Sequence, residues 1–355
     1  MQLQNLRKKI DQIDEKILNL LNQRADEVIK VGKLKKKNNI SVYSPEREAS
    51  MLKRLKSINK GAFRPEDVEN VFREILSVCR SQRTILEIAY LGPPGTFTHL
   101  ASIKKFGKRP NYIESESIKD VFDKVERGEA DYGVVPVENS IEGVVNYTLD
   151  MFFVSNLSIC AEVTLNISHS LLGAKVKDIT KIKRIYSNPQ VFAQCRSWIS
   201  RNLKNAELVP TESTAKAALR AKKDLSGACI GNKILANIYS LNIIASEIED
   251  SPYNYTRFLI ISKNDTPASG KDKTSILFAV KDKVGALYDA LYSFKSHKIN
   301  LTKIESRPSK KKPWEYYFFV DFQKHRSSPV VKKALKKLEK ECIFLKILGS
   351  YPKES

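Results

Sequence analysis

The sequence predicts a multidomain chain: an all-α segment, then an α/β segment, then a smaller α+β segment of βαββαβ order. Three observations carry that prediction. Apolar residues recur with a helical period over residues 3–37. The period changes at Leu86, after which short apolar strands alternate with helices as far as residue 263. The polar run KNDTPASGKDK (263–273) then sets off a last stretch with its own strand–helix pattern. A chain of 355 residues is too long for one small core. We place the three domains at 1–86, 87–263 and 273–355.

Composition narrows the class. With 42% hydrophobic and 28% charged residues the chain reads as an ordinary soluble globular protein. No apolar run approaches the roughly 20 residues of a membrane span. The start, MQLQNLRKKIDQIDEK, lacks the apolar centre of a secretory signal. Cys79, Cys160, Cys195, Cys229 and Cys342 are scattered and form no C-x-x-C pair, and the four histidines are isolated. These features point to reduced thiols in a cytoplasmic protein, with no disulfide framework, metal site or cofactor. The net charge of +21 divides into +8 over residues 1–86, +2 over 87–270 and +11 over 271–355. Such an excess reads as lysine-rich solvated faces with some attraction for anionic substrates. There is no nucleic-acid-binding motif and no basic stripe interleaved with aromatics, so neither nucleic acid nor membrane is an expected partner.

In the first domain Leu6, Ile10, Ile13, Ile17, Leu20, Leu21, Val28, Val31 and Leu34 form one apolar stripe, uninterrupted by proline. At 1.5 Å per residue this helix is roughly 50 Å long, more than a domain of that size can cover. Its apolar face must meet another chain, which predicts an intertwined homodimer; pairing of dimers into tetramers is left open. Ser44-Pro45 reads as the N-cap and first turn of a second helix to about Asn59, and Arg64-Pro65 opens a third. In the second domain the strand LEIAYLG runs into the turn Gly92-Pro93-Pro94-Gly95-Thr96. Strands DYGVVPV, RIYS and GACIG precede Glu138-Asn139-Ser140, Asn188-Pro189 and Asn232, and helices are expected near 117–127, 190–201 and 214–222. The alternation predicts mainly parallel sheets, with polar loops at strand ends where open α/β sheets bind ligands. The third domain reads as strand 274–280, helix 285–297, strands 299–306 and 315–322, helix 328–341 and strand 343–351, a ferredoxin-like arrangement.

Five strings lie in order through the second domain: YLGPPGTFTH (90–99), GVVPVENSIEGVV (133–145), YSNPQVFAQC (186–195), STAKAA (213–218) and NYTRFLII (254–261). By these, and by LRKKIDQIDEKILNLLNQR (6–24), VGKLKKK (31–37), PERE (45–48), GALYDAL (285–291) and ESRP (305–308), the whole chain resembles the bifunctional chorismate mutase–prephenate dehydratases. That resemblance implies an all-α chorismate mutase domain, a two-lobed α/β dehydratase domain like the type II periplasmic-binding proteins, and a ferredoxin-like ACT regulatory domain. It further implies conversion of chorismate to prephenate, and of prephenate to phenylpyruvate, CO2 and water, with feedback inhibition by L-phenylalanine. Two alternatives stay open at this point: a dehydratase whose helical domain only dimerises, and a non-catalytic ligand sensor.

Site residues follow from the resemblance, checked against the chemistry. Prephenate must lose its ring carboxylate as CO2 while its hydroxyl departs. The resemblance gives Thr256 the role of assisting that departure by hydrogen bonding or proton relay. Arg257 suits bidentate carboxylate binding, and Phe258 completes the Thr-Arg-Phe motif. Asn139, Ser140, Ser187, Gln194, Ser213 and Thr214 would orient the substrate from both lobes, with helix capping the plainer reading of Ser140 and Ser213. Asn188 stands where many relatives carry His.

Chorismate rearrangement needs no nucleophile. It needs a dianion held in its reactive conformer and negative charge stabilised at the breaking ether oxygen. Arg24 and Lys35, eleven residues apart, project from one side of the long helix. Arg24 interrupts an apolar stripe, a costly place for a cation that meets no anion. Arg7 lies roughly 25 Å up the same rod, too far to serve that pocket within one chain, and the resemblance implies that the partner subunit contributes it. Arg47 and Glu48 would bind a carboxylate and a ring hydroxyl. Ser44 stands where Asp is frequent, and Cys79 and Arg83 stand where Ser and Gln are usual. Arg83, or its neighbour Gln82, would then donate to the ether oxygen. For L-phenylalanine the resemblance points to Gly285, Ala286 and Leu287 at a helix start and to Glu305, Ser306, Arg307 and Pro308, with Tyr288 where His is frequent.

Overall fold

The computed structural model describes residues 2–38, 43–82, 84–176, 178–308 and 316–354. Helix α1 (Gln2–Lys37) is the long element that the apolar period predicts, and α2 (Pro45–Ile58) and α3 (Pro65–Ser81) follow. Pro45 and Pro65 occupy first-turn positions, where a missing N–H leaves no bond unmade. The stripe on α1 is open: Leu6, Ile10, Ile13 and Ile17 are 54, 56, 54 and 49% exposed in the single chain. Within the chain α1 packs mainly against α3.

The second domain has two lobes. The first holds β1 (Glu87–Leu91), α4 (Phe97–Phe106), β2 (Asn111–Ser115), α5 (Ile118–Arg127), β3 (Tyr132–Asn139), β4 (Gly143–Val144), α6 (Asn146–Val154) and β5 (Ser158–Asn166). The second holds β6 (Ser170–Gly173), a 3-10 turn, β7 (Arg184–Ser187), α7 (Pro189–Gln194), α8 (Arg196–Asn202), β8 (Glu207–Pro210), α9 (Thr214–Lys223), β9 (Gly227–Gly231), α10 (Ile234–Tyr239) and β10 (Asn242–Ser246). Strand β11 (Tyr255–Ser262) returns to the first lobe and lies between β3 and β5, antiparallel to both. The sheet orders are β2-β1-β3-β11-β5, with β4 beside β3, and β10-β6-β9-β7-β8.

Each sheet is therefore mixed, where the alternating pattern had pointed to mainly parallel ones. The physical reason is connectivity. The strands that carry the chain across, β6 on entering the second lobe and β11 on returning to the first, run against the parallel sets. Within the parallel sets the C-terminal ends of β1, β2 and β3 lie together, as do those of β7, β8 and β9. Cross-lobe bonds join those two ends. Asn232 Nδ2 donates to the Gly95 carbonyl at 2.6 Å, and Tyr239 Oη to the Pro94 carbonyl at 3.0 Å.

The third domain follows as β12 (Asp272–Val280), α11 (Ala286–Lys295), β13 (Leu301–Pro308), β14 (Tyr316–Gln323), α12 (Pro329–Glu341) and β15 (Cys342–Pro352), in sheet order β13-β14-β12-β15. Helices α11 and α12 cover one face through Phe294, Val331, Leu335 and Leu338. The opposite face lies on the first lobe. There Leu277, Phe319, Leu348 and Tyr351 share one core with Phe152, Ile159 and Leu259. The approach is close enough that a Cβ on Gly349 would run into the Ile159 backbone. Among the described residues no helix is long and apolar enough to cross a membrane, and no group of three His, Cys, Asp or Glu could hold a metal. All five cysteines are unlinked.

Candidate active sites

The strand ends that face each other across the lobes carry the first site. Thr256 lies at the start of β11, paired with Asn139 at the end of β3. Asn139 Nδ2 donates to Thr256 Oγ1 at 2.8 Å and to Asn254 Oδ1 at 2.8 Å. Asn139 Oδ1 accepts the backbone N–H groups of Ile141 and Glu142, each at 2.9 Å, which fixes the orientation of the amide. Because Thr256 Oγ1 accepts from Asn139, its own proton is free to be donated elsewhere.

Gln194, at the end of α7 in the second lobe, closes this network. Its Oε1 accepts from Asn254 Nδ2 at 3.2 Å and lies 2.9 Å from His169 Nε2. Its Nε2 donates to Glu142 Oε1 at 3.3 Å. Burial pushes the His169 pKa down, against the opposing effect of Gln194, so the ring is neutral at neutral pH. Phe97 meets His169 edge-on at 5.6 Å. Asn254, Glu142 and His169 were not among the residues singled out from sequence. Asn254 was within reach, since it sits two residues before Thr256 and so shares its strand face.

Several expected substrate contacts take other positions. Arg257 points to the opposite face of β11. There it donates to Glu162 Oε2 at 2.8 Å and to Tyr351 Oη at 2.9 Å, and pairs with Asp321 Oδ2 at 2.7 Å. A guanidinium so engaged holds this chain's own carboxylates and does not face the cleft. Phe258 is a core residue, 1% exposed, packed with Ile88 and Phe106. The Ser187 hydroxyl is buried and donates to the Ile230 carbonyl at 2.7 Å. Ser140 Oγ donates to the Tyr253 carbonyl and accepts from the Tyr255 N–H, so it fastens the 139–142 loop to β11. Ser213 caps α9 by accepting the Lys216 N–H at 3.1 Å. Thr214 is buried beside Gly231. Asn188 caps α7.

A second site lies between α1, α2 and α3, a cavity of about 250 Å³ lined by Arg24, Lys35, Arg47, Glu48, Leu76 and Arg80 among others. Four of the residues expected from sequence are thus brought together. Arg24 Nη1 is buried and has no hydrogen-bond partner among the described residues. Lys35 Nζ donates to Ser44 Oγ at 2.5 Å. Arg7 is exposed far up α1 and is not in this cavity. Cys79 is buried, and Arg83 lies outside the described residues. The face that α3 turns to the cavity carries Leu76 and Arg80 instead, and Arg80 went unnoticed in the sequence.

In the third domain Gly285 holds φ +76 immediately before α11, a left-handed conformation that favours glycine, and nothing lies within 4 Å of where its Cβ would be. The register Ala279↔Tyr317 and Arg307↔Tyr317 puts the turn after β12 and the ESRP end of β13 at the same end of the sheet, one strand apart. Ala286 is buried, Leu287 and Glu305 are partly buried, and Ser306 and Pro308 are exposed. Arg307 pairs with both oxygens of Asp150 on α6, at 3.0 and 3.1 Å, which ties this edge strand to the first lobe.

A helical domain with a cationic cavity, a two-lobed domain with a threonine–asparagine cleft and a sheet-and-helix domain stacked on it define a modular enzyme with an appended regulatory unit. Family models for "Chorismate mutase type II" (residues 6–84), "Prephenate dehydratase" (88–266) and "ACT domain" (274–340) match the chain in that order. The chain belongs to the bifunctional chorismate mutase/prephenate dehydratase family. It is 49% identical to the protein of that description from Aquifex aeolicus, over 99% of this chain and 98% of that one. Identity to the Pseudomonas aeruginosa protein is 43%, over 99% and 98%. Among solved structures, prephenate dehydratase from Arthrobacter aurescens in complex with L-Phe aligns with a TM-score of 0.70 at 34% identity, covering 76% of this chain and 90% of that one.

Proposed function

We propose that the chain rearranges chorismate to prephenate in the α1–α2–α3 cavity. Prephenate then goes to phenylpyruvate, CO2 and water in the inter-lobe cleft, under inhibition by L-phenylalanine at the ACT domain. The observation that carries the second step is the fixed Asn139–Thr256 pair between two sets of strand ends. In that step the bond to the ring carboxylate breaks, its electron pair completes the aromatic ring, and the 4-hydroxyl leaves. Thr256 acts by donating a hydrogen bond to the departing oxygen while Asn139 holds its lone pair. A hydroxyl is a poor acid, so the contribution is stabilisation of developing charge, with the proton completing water relayed through it. Arg257 being turned away, the substrate carboxylates are left to backbone N–H groups at the starts of α4 and α9, both at the facing strand ends.

In the mutase cavity Arg24 and Lys35 place positive charge on a dianion, Arg47 adds a carboxylate contact, and Glu48 accepts from the ring hydroxyl. The buried Arg24 Nη1, without a partner in the described chain, is suited to an anionic ligand. Arg7 completes the cavity from the partner of a homodimer formed along the open stripe of α1, and the protein works in the cytoplasm. Arg24→Ala lowers mutase kcat/KM by about a hundredfold or more, and Arg7→Ala does likewise. Dehydratase turnover of supplied prephenate persists in both. Mixing the two variants under subunit exchange restores about a quarter of wild-type mutase activity, because half of the dimers are then mixed and each has one intact site. No restoration, with exchange verified, contradicts the shared-site arrangement.

A further inference from the structure

Arg80 is the one α3 cation that the cavity lining adds to those expected, and three of its surroundings are specific. Its Nη1 donates to Glu48 Oε1 at 2.6 Å. Its Nη2 donates to the Phe106 carbonyl at 2.8 Å, at the end of α4 in the dehydratase domain. Its guanidinium lies 5.1 Å over the Tyr43 ring, which packs on Phe106 and Tyr132. The residue is 8% exposed. A charge this buried costs stability unless its partners repay it, and here the partners are one mutase carboxylate and one dehydratase backbone oxygen.

We infer that Arg80 is a positioning residue for chorismate rearrangement: it holds Glu48 ionised and aimed into the cavity, and anchors that pair to the dehydratase domain through Phe106. The inference rests on the mutase reading of this cavity. The guanidinium is planar, and its Nη2 bond to the Phe106 carbonyl fixes that plane, so the Nη1 bond holds Glu48 Oε1 in a set direction as well as supplying charge. Burial pushes the Glu48 pKa up, and Arg80 is the largest opposing influence. The other charged groups around Glu48 are Glu46 and Arg47 on its own helix, Arg24 and Lys35 from α1, Arg73 from α3 and Lys105 from α4, with the Tyr43 phenol beside it. Glu48 forms an ion pair with Arg80 at 2.6 Å. Without it Glu48 takes up a proton at higher pH and no longer accepts well from the ring hydroxyl.

The test is the pH profile of mutase kcat/KM in the full chain for wild type, Arg80→Gln, Arg80→Lys and Glu48→Gln, with dehydratase turnover of prephenate as the control for folding. Wild-type consumption of chorismate establishes the mutase reading independently. Arg80→Gln is expected to lose about tenfold to a hundredfold in mutase kcat/KM at neutral pH. Its acid limb moves to higher pH, while Arg80→Lys keeps the limb near wild type and Glu48→Gln removes it. An Arg80→Gln profile of unchanged shape, whatever its height, overturns the inference and leaves Arg80 an inter-domain tie only. Should Arg80→Gln lose dehydratase activity too, Glu48→Gln decides: survival of the acid limb in that variant overturns the proposal, and its loss together with a retained limb in Arg80→Lys upholds it.

Discussion

Thr256→Val lowers kcat of the dehydratase step by about 10²–10⁴-fold, the range for removing a positioned proton donor. The substitution keeps the side chain's shape and deletes only the hydroxyl. Asn139 loses one acceptor but retains Asn254 Oδ1, and its own Oδ1 stays fixed by two backbone N–H groups. The cleft therefore keeps its form, and KM for prephenate changes far less than kcat. Mutase activity, housed in a separate cavity, is unchanged. Steady-state kinetics on prephenate and on chorismate check both halves. A variant that turns prephenate over at more than a tenth of the wild-type rate removes Thr256 from the mechanism.

Arg257→Met gives the largest expected loss of stability, about 3–5 kcal/mol, the cost of removing one partner from a buried ion pair. It leaves Asp321, 0% exposed, and Glu162, 3% exposed, without the cation they share. Glu162 retains Lys273 at 2.8 Å. Burial pushes the Glu162 carboxyl up, but Arg257 and Lys273 outweigh it and hold the pKa below the usual carboxylate value. A depressed pKa stabilises the fold above the unfolded carboxylate range of about 4.3, and that stability is lost as pH falls through the lower folded value. In the variant Glu162 has one cation fewer, so its folded pKa lies closer to the unfolded value, and the gap in stability between wild type and variant narrows as pH falls below about 4.3. Denaturant midpoints of the wild type and the variant, taken between about pH 3 and 7, measure both effects. A difference under about 0.5 kcal/mol at neutral pH contradicts this account of the network.

That network also explains how the ACT sheet comes to sit against β11. Strand alternation sends Thr256 to the cleft and Arg257 to the sheet below. The opposite pair, Asn139 and Glu138, divides the same way, with Glu138 accepting from Lys303 at 2.8 Å. One pair of residues faces the cleft and the next pair serves domain contact. An effector that favours one arrangement of the ACT domains thus has a short physical route to the cleft.

Much of this architecture was legible because it rests on local rules. The period of α1, the prolines opening α2 and α3, and the βαββαβ order of the last domain depend on neighbours in sequence. The polar loops at strand ends followed from the α/β pattern alone. What escaped was decided by long-range packing. The antiparallel settings of β11 and β6 depend on where the chain crosses between lobes. Ser187 and Phe258 carry the right residue types but are buried by strands distant in sequence. Arg257 is a different case. Alternation already places it opposite Thr256, so reading the two as one clamp overlooked a local rule. Arg80 was legible by the argument applied to Arg24, a cation on an otherwise apolar helical face, and was obscured by placing the inward positions of α3 at 79 and 83. Cys79 is buried beside that face without reaching the cavity.

The central claim is that one chain carries two sites in series and an effector domain that acts on the second. The most direct measurement supplies chorismate to the purified protein and follows chorismate, prephenate and phenylpyruvate together, with and without L-phenylalanine. The account predicts steady phenylpyruvate formation without effector, and accumulation of prephenate at a sustained rate of chorismate loss when L-phenylalanine is added. Loss of chorismate with no phenylpyruvate formed, even from added prephenate and in the absence of effector, would contradict it.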